Sequence, residues 1–134
     1  MSALGLFNLR HLFIGIENNS MLVKENRLTK RKEFGYIYKK GRSVYSKHLM
    51  LVYVPTKLKN IRVGFSVSKK VGKAHTRNLI KRRLRAIIQD MLKQNLIKTN
   101  NYIFVANSSI TELTFEELKS QVMYVLSKDG LINE

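Results

Sequence analysis

One stretch of the chain, SKKVGKAHTRNLIKRRLRAII from Ser68 to Ile88, gathers Lys69, Lys70, Lys73, Arg77, Lys81, Arg82, Arg83 and Arg85 without a single carboxylate. Side chains of this kind do not make or break bonds unaided. They hold anions, and Arg grips phosphate oxygens through a planar fork of donors. Backbone N–H groups at a helix start would add to that grip. The chemistry on offer is the binding of a polyanion. Nucleic acid is the first candidate and an anionic membrane surface the second. A P-loop is excluded, because Gly72-Lys73 is not preceded by the glycine spacing it needs.

Other residues with chemical potential are poorly arranged. His11, His48 and His75 have no metal-ligand spacing, so no metal site is expected. Glu116 and Glu117 suit the start of a helix better than a catalytic pair. The absence of cysteine removes disulfides, thiolate metal sites and a thiol nucleophile, and fits a reducing cytoplasm. The net charge of +16 on 134 residues is extreme and unevenly spread. Residues 34–89 carry 15 Lys and Arg and no Asp or Glu, whereas 90–134 carry four basic and six acidic residues. The middle of the chain is the electrostatic footprint.

Residues 1–23 read as a disordered leader without chemistry, and Met21 as a natural second start. The longest apolar run there, LFIGI, is too short to span a bilayer, and a signal peptide would order its charges differently. Residues 24–134 read as a single domain that binds nucleic acid, RNA or DNA.

The elements that must position the basic stretch follow from pattern. LTKRKEFGYIYKKG is expected to form a helix capped by Thr29 and stopped by a left-handed Gly41. A strand is expected over 44–54, ending at Pro55. IRVGFSVS alternates, with Ile61, Val63, Phe65 and Val67 on one face and Arg62, Gly64, Ser66 and Ser68 on the other. These two strands are expected to pair as a long hairpin. A second helix over 76–93 buries Ile80, Leu84, Ile87 and Met91. On its wheel Lys81, Arg85, Asn78 and Arg82 lie about 40°, 80°, 100° and 140° from Arg77, a polar stripe beside the apolar one. Cations at this helix start oppose the macrodipole, and Arg77/Lys81 and Lys81/Arg85 repel at i, i+4. A purely structural helix would avoid both. NYIFVA is a short buried strand. The last helix has a capping box in Thr114 and Glu117, a staple from Leu113 to Leu118, and a stop at Gly130. The fold class is α+β, a mixed sheet with helices, in the order α, two or three β, α, β, α (α-β-β-β-α-β-α with three).

RVGFSVSKKVGKAHTRNLIKRRLR, with Arg77, Asn78, Lys81, Arg82 and Arg85 at the centre, resembles the signature of the bacterial ribonuclease P protein subunit. RLTKRKEFGYIYKKGRSV and NYIFVANSSITELTFEELKSQV extend the resemblance over about residues 24–128. Leu79 stands where the family often has another basic residue, so no phosphate contact is assigned there. The resemblance implies a two-layer α/β sandwich, ribosomal protein S5 domain 2-like, with a left-handed β-α-β crossover against the usual right-handed rule. It implies a cytoplasmic protein that helps a catalytic RNA remove the 5′ leader of precursor tRNA. No catalytic residue lies in the protein, and Mg²⁺ is expected to enter through the RNA. Partners would be that RNA and precursor tRNA, with no membrane and no small-molecule substrate.

Lys69, Lys70, Lys73, Arg77, Asn78, Lys81, Arg82 and Arg85 would then bind RNA. A cleft with Phe34, Tyr38, Arg62, Ser66 and Ser68 would hold the leader, with the aromatics as stacking platforms. The family tends to have an aromatic at the place of Val52, and the neighbouring Tyr53 points to the opposite face. A ribosomal or other structural RNA-binding protein is the alternative.

Overall fold

The structure, a computed structural model, describes residues 23–133, so the expected leader lies outside the described residues apart from Val23. The described elements are α1 (Arg31–Lys40), β1 (Arg42–Tyr45), β2 (Leu49–Val54), β3 (Arg62–Val67), α2 (Ala74–Lys93), β4 (Asn101–Ala106) and α3 (Phe115–Lys128). Short 3-10 turns lie before α1, after β3 and before α3. The order is the expected one.

The pairing differs from the expected hairpin. One sheet runs β1-β2-β4-β3, with β4 antiparallel to β2 and parallel to β3. The chain turns back earlier than expected, between Tyr45 and Leu49. There the Ser46 N–H donates to the Leu49 carbonyl at 2.8 Å and the Leu49 N–H to Ser46 Oγ at 3.2 Å. The hairpin is therefore β1–β2. β4 takes the place beside β2, because Tyr102, Ile103 and Phe104 are apolar on both faces and suit a central strand. β3 carries Arg62 and Ser66 and lies outside it. A parallel β3–β4 pair needs a long crossover, which α2 supplies.

Alternation then makes two cores. The row Val44, Leu51, Phe104 and Phe65 crosses the sheet on one face and packs with Ile80, Leu84, Ile87 and Met91 of α2 and with Leu118, Val122, Val125 and Leu126 of α3. All four expected α2 residues are buried, and Ala86 and Ile88 join them. On the other face Val52 and Ile103 pack beneath Ile37 of α1, together with Leu28, Val54 and Phe34.

The helix ends test local reading. The Thr114–Glu117 capping box is present, with bonds of 2.9 and 3.2 Å; the Thr114 backbone N–H first, and then its hydroxyl, hold the Glu117 carboxyl below its ordinary pKa. Gly130, at φ +67, closes α3 while the Leu131 N–H donates to the Leu126 carbonyl. Two expectations at α1 fail. Thr29 does not cap it; Lys30 holds the N-cap position without a side-chain bond. Gly41 is not left-handed, with φ −79. Its glycine is required by space: a Cβ would lie 2.5 Å from the Ile37 carbonyl oxygen and 2.8 Å from that of Tyr53.

Gly41→Ala is accordingly expected to cost about 1–3 kcal/mol, because both obstacles are backbone. Gly35→Ala, mid-helix with nothing within 4 Å of a new Cβ, is expected to stabilise by up to about 1 kcal/mol. Urea midpoints check both, and a neutral Gly41→Ala would show that the α1–β1 junction yields.

Candidate nucleic-acid interface

The basic stretch begins at the end of β3. Ser68 starts a tight turn, Lys69–Val71, in which Val71 is buried and Lys69 and Lys70 are exposed. Gly72 follows at φ +151, a conformation that side chains resist, and a Cβ there would sit 3.3 Å from Thr76. This glycine fixes the entry to α2. Arg77 donates from Nε to the Gly72 carbonyl at 3.1 Å, which braces the turn and leaves its terminal nitrogens for a ligand. Lys73 and Asn78 are exposed.

Lys81 and Arg85 are half-buried and stand against β3. Burial first, then the charges of Arg27 and Arg82, push the Arg85 pKa down, though a guanidinium keeps its charge at neutral pH. Arg85 is thus held among like charges, and an approaching phosphate would relieve that repulsion. Arg27 was not singled out by sequence reasoning. It reaches the site because its backbone bridges to Val63 at the sheet edge, a tertiary pairing without a local signal.

Arg27, Phe34, Gly64, Lys81 and Arg85 line one hollow at this edge. A Cβ on Gly64 would lie 2.4 Å from the Phe34 ring, so the ring rests where a side chain would be. The other end of α1 reaches β2, since Gly41 approaches Val52 and Tyr53. The helix therefore runs across the strands, along the row Gly64, Ile103 and Val52. The adjacent row, Ser66, Val105, Met50 and Tyr45, is paired strand to strand and is only partly buried or exposed.

The flanks of α1 then separate the expected cleft residues. Glu33 ion-pairs with Arg62, which marks the flank toward the row Arg62, Asn101 and Val54. Phe34 and Tyr38 lie about 100° and 140° further round the helix, toward the open row. Tyr38 is 45% exposed. Phe34 and Tyr38 share one flank of α1, Ser66 lies on the open row of β3, and Ser68 follows just past the strand end. Arg62 is ion-paired with Glu33 on the other flank of α1. Val52 is buried beneath α1, and Tyr53 faces away and donates to Asp129 Oδ2 at 2.7 Å. Tyr45 escaped the sequence reading because the β1–β2 turn was read as continuous strand.

His48 and His75 have ordinary places, and His11 lies outside the described residues. His48 is buried with Nδ1 2.8 Å from Ser109 Oγ, and His75 is exposed on the first turn of α2. Among the described residues, no group of three His, Cys, Asp or Glu is placed to hold a metal ion.

A rigid cationic helix beside an aromatic-walled sheet defines an RNA-binding α+β protein. A family model described as ribonuclease P matches residues 22–129. The ribonuclease P protein component of Clostridium botulinum is 37% identical over 112 residues, covering 83% of this chain and all of the relative. That of Bacillus velezensis is 35% identical over 109 residues, covering 81% of this chain and 92% of the relative. The structure of the Staphylococcus aureus RNase P protein aligns with a TM-score of 0.74 at 30% identity, covering 81% of this chain and 98% of that one. The chain belongs to the ribonuclease P protein family, and it acts in tRNA 5′-end processing through RNA binding.

Arg82→Ala and Arg85→Ala are each expected to weaken RNA binding and to reduce the slope of log affinity against log salt by about 1. Arg27→Ala should do the same if it shares the Arg85 anion site. Fluorescence titration across a salt series checks this, and an unchanged slope would return these residues to a merely solvated surface.

Proposed function

We propose that the chain is the protein subunit that binds the catalytic RNA of ribonuclease P and the 5′ leader of precursor tRNA. The observation that carries this reading is the shared hollow: Lys81 and Arg85 of α2 and Phe34 of α1 open on one space around Gly64. RNA laid on the stripe from Lys69 to Arg85 would have its phosphates neutralised. A single strand leaving it would meet the α1 wall and the open row of the sheet. Unpaired bases can stack on Tyr38 and Phe34, whereas paired bases cannot reach them. The protein supplies no nucleophile and no metal cage in this reading. Bond cleavage belongs to the RNA, with Mg²⁺ bound there, and the protein favours it by lowering phosphate repulsion. Kinship with bacterial ribonuclease P protein components supports work in the cytoplasm.

Purified protein added to the catalytic RNA and precursor tRNA at low Mg²⁺ should restore cleavage at the leader junction. An unchanged rate would overturn the reading, and cutting by protein alone would move the chemistry out of the RNA. In the restored complex Tyr38→Ala should weaken precursor tRNA relative to mature tRNA by about 1–3 kcal/mol. Equal loss on both would remove Tyr38 from the leader.

A further inference from the structure

The open row does not end at Met50. It continues to Tyr45 on β1, the strand at the sheet edge opposite β3. Tyr45 is 61% exposed, more than Tyr36, Tyr38 or Tyr124. Its neighbour Val44 points into the core with Leu51, so the alternation of β1 fixes Tyr45 on the α1 face. A groove lined by Tyr45, Ser46, Met50, Val105 and Asn107 lies at this end of the row. Its surroundings are cationic and aromatic. Lys47 is exposed in the β1–β2 turn. Lys128 of α3 donates from Nζ to the Tyr45 carbonyl at 3.3 Å and lies 5.5 Å from the centre of the Tyr124 ring.

We propose that Tyr45 is a stacking platform for an unpaired base at the distal end of the leader, with Lys47 and Lys128 beside its phosphates. This rests on the leader-binding reading above. The row from Ser66 to Tyr45 crosses three strand intervals, about 14 Å, which is a path for a few extended nucleotides. The cation-rich end at Arg85 and the aromatic end at Tyr45 set a direction. Nucleotides nearest the RNA on α2 enter over Ser66, and those further from the cleavage site reach Tyr45. An exposed tyrosine costs folding little to lose, and the Lys128 contact is to backbone, so it survives truncation of the ring.

The test measures affinity of the reconstituted protein–RNA complex for precursor tRNAs whose leaders grow one nucleotide at a time. Wild type, Tyr38→Ala, Tyr45→Ala and Tyr45→Phe are compared. Tyr45→Ala should match wild type on mature tRNA and on the shortest leaders, then lose about 5- to 100-fold once the leader spans the sheet. Tyr45→Phe should retain most of that affinity, and Tyr38→Ala should lose it at shorter leaders. Tyr45→Ala matching wild type at every length, while Tyr38→Ala still discriminates, would overturn the platform and leave the cleft. A wild-type complex indifferent to the leader would overturn both. An altered oligomeric state in Tyr45→Ala with leader affinity intact would overturn it too, and would give the β1 edge to a second copy.

Discussion

The interface depends on a missing side chain. Gly64 leaves a space on β3 that the Phe34 ring fills, and α1 can then lie flat along one row of the sheet. Where α1 lies decides which row is covered and which is open. The covered row joins Ile37 to Val52 and Ile103 in the smaller core. The open row, from Ser66 to Tyr45, is left with a helix as one wall. Any β-carbon at position 64 would meet that ring and force it to shift. Gly64 therefore shapes the groove by the space it leaves for that ring.

The second constraint is electrostatic, and magnitudes decide it. Like charges on α2 cost about 0.2–0.5 kcal/mol per i, i+4 pair, and the dipole adds a comparable penalty for each cation in the first turns. Burying Ile80, Leu84, Ile87, Ile88 and Met91 contributes about 1.5–3 kcal/mol each. The apolar face wins by a wide margin, so the helix holds even though its polar face repels itself. Repulsion on an exposed surface is then stored in a form that an anion can release. Arg85 is the clearest instance, being half-buried, beside Arg27 and Arg82, and in the hollow that leads to Phe34.

Much of this was legible in the sequence, for a physical reason. The α2 stripes and the α3 capping box are local patterns, set within a few residues by helix geometry, and both are present. Non-local pairing was not legible. Nothing within β2 or β3 says that β4 will come between them; the decision lies in the more apolar character of Tyr102–Phe104. The unread turn at Ser46–His48 hid Tyr45. Arg27 depends on a single bridge to Val63. Gly41 was recognised as special but for the wrong cause, since crowding by two carbonyl oxygens leaves no trace in a sequence. Arg62 has the face of β3 that alternation gave it, and its ion pair with Glu33 is specified by packing and not by spacing.

Affinity and selection are divided between the two surfaces. Phosphate contacts from α2 act on any RNA, single or paired, and carry no information about its sequence or state. The groove is different, because a base must be unstacked and unpaired to lie on an aromatic ring. A ligand that satisfies both must have a structured, phosphate-dense body joined to a free strand. The two surfaces meet at the β3 edge, with Arg85 and Phe34 on the same hollow, so under the proposed function the junction between body and strand would lie there. A purely cationic surface could not make that distinction, and an aromatic sheet without α2 would bind free strands indiscriminately. The fold joins them by using one β-α-β crossover to hang the cationic helix beside the strand over which the aromatic helix lies.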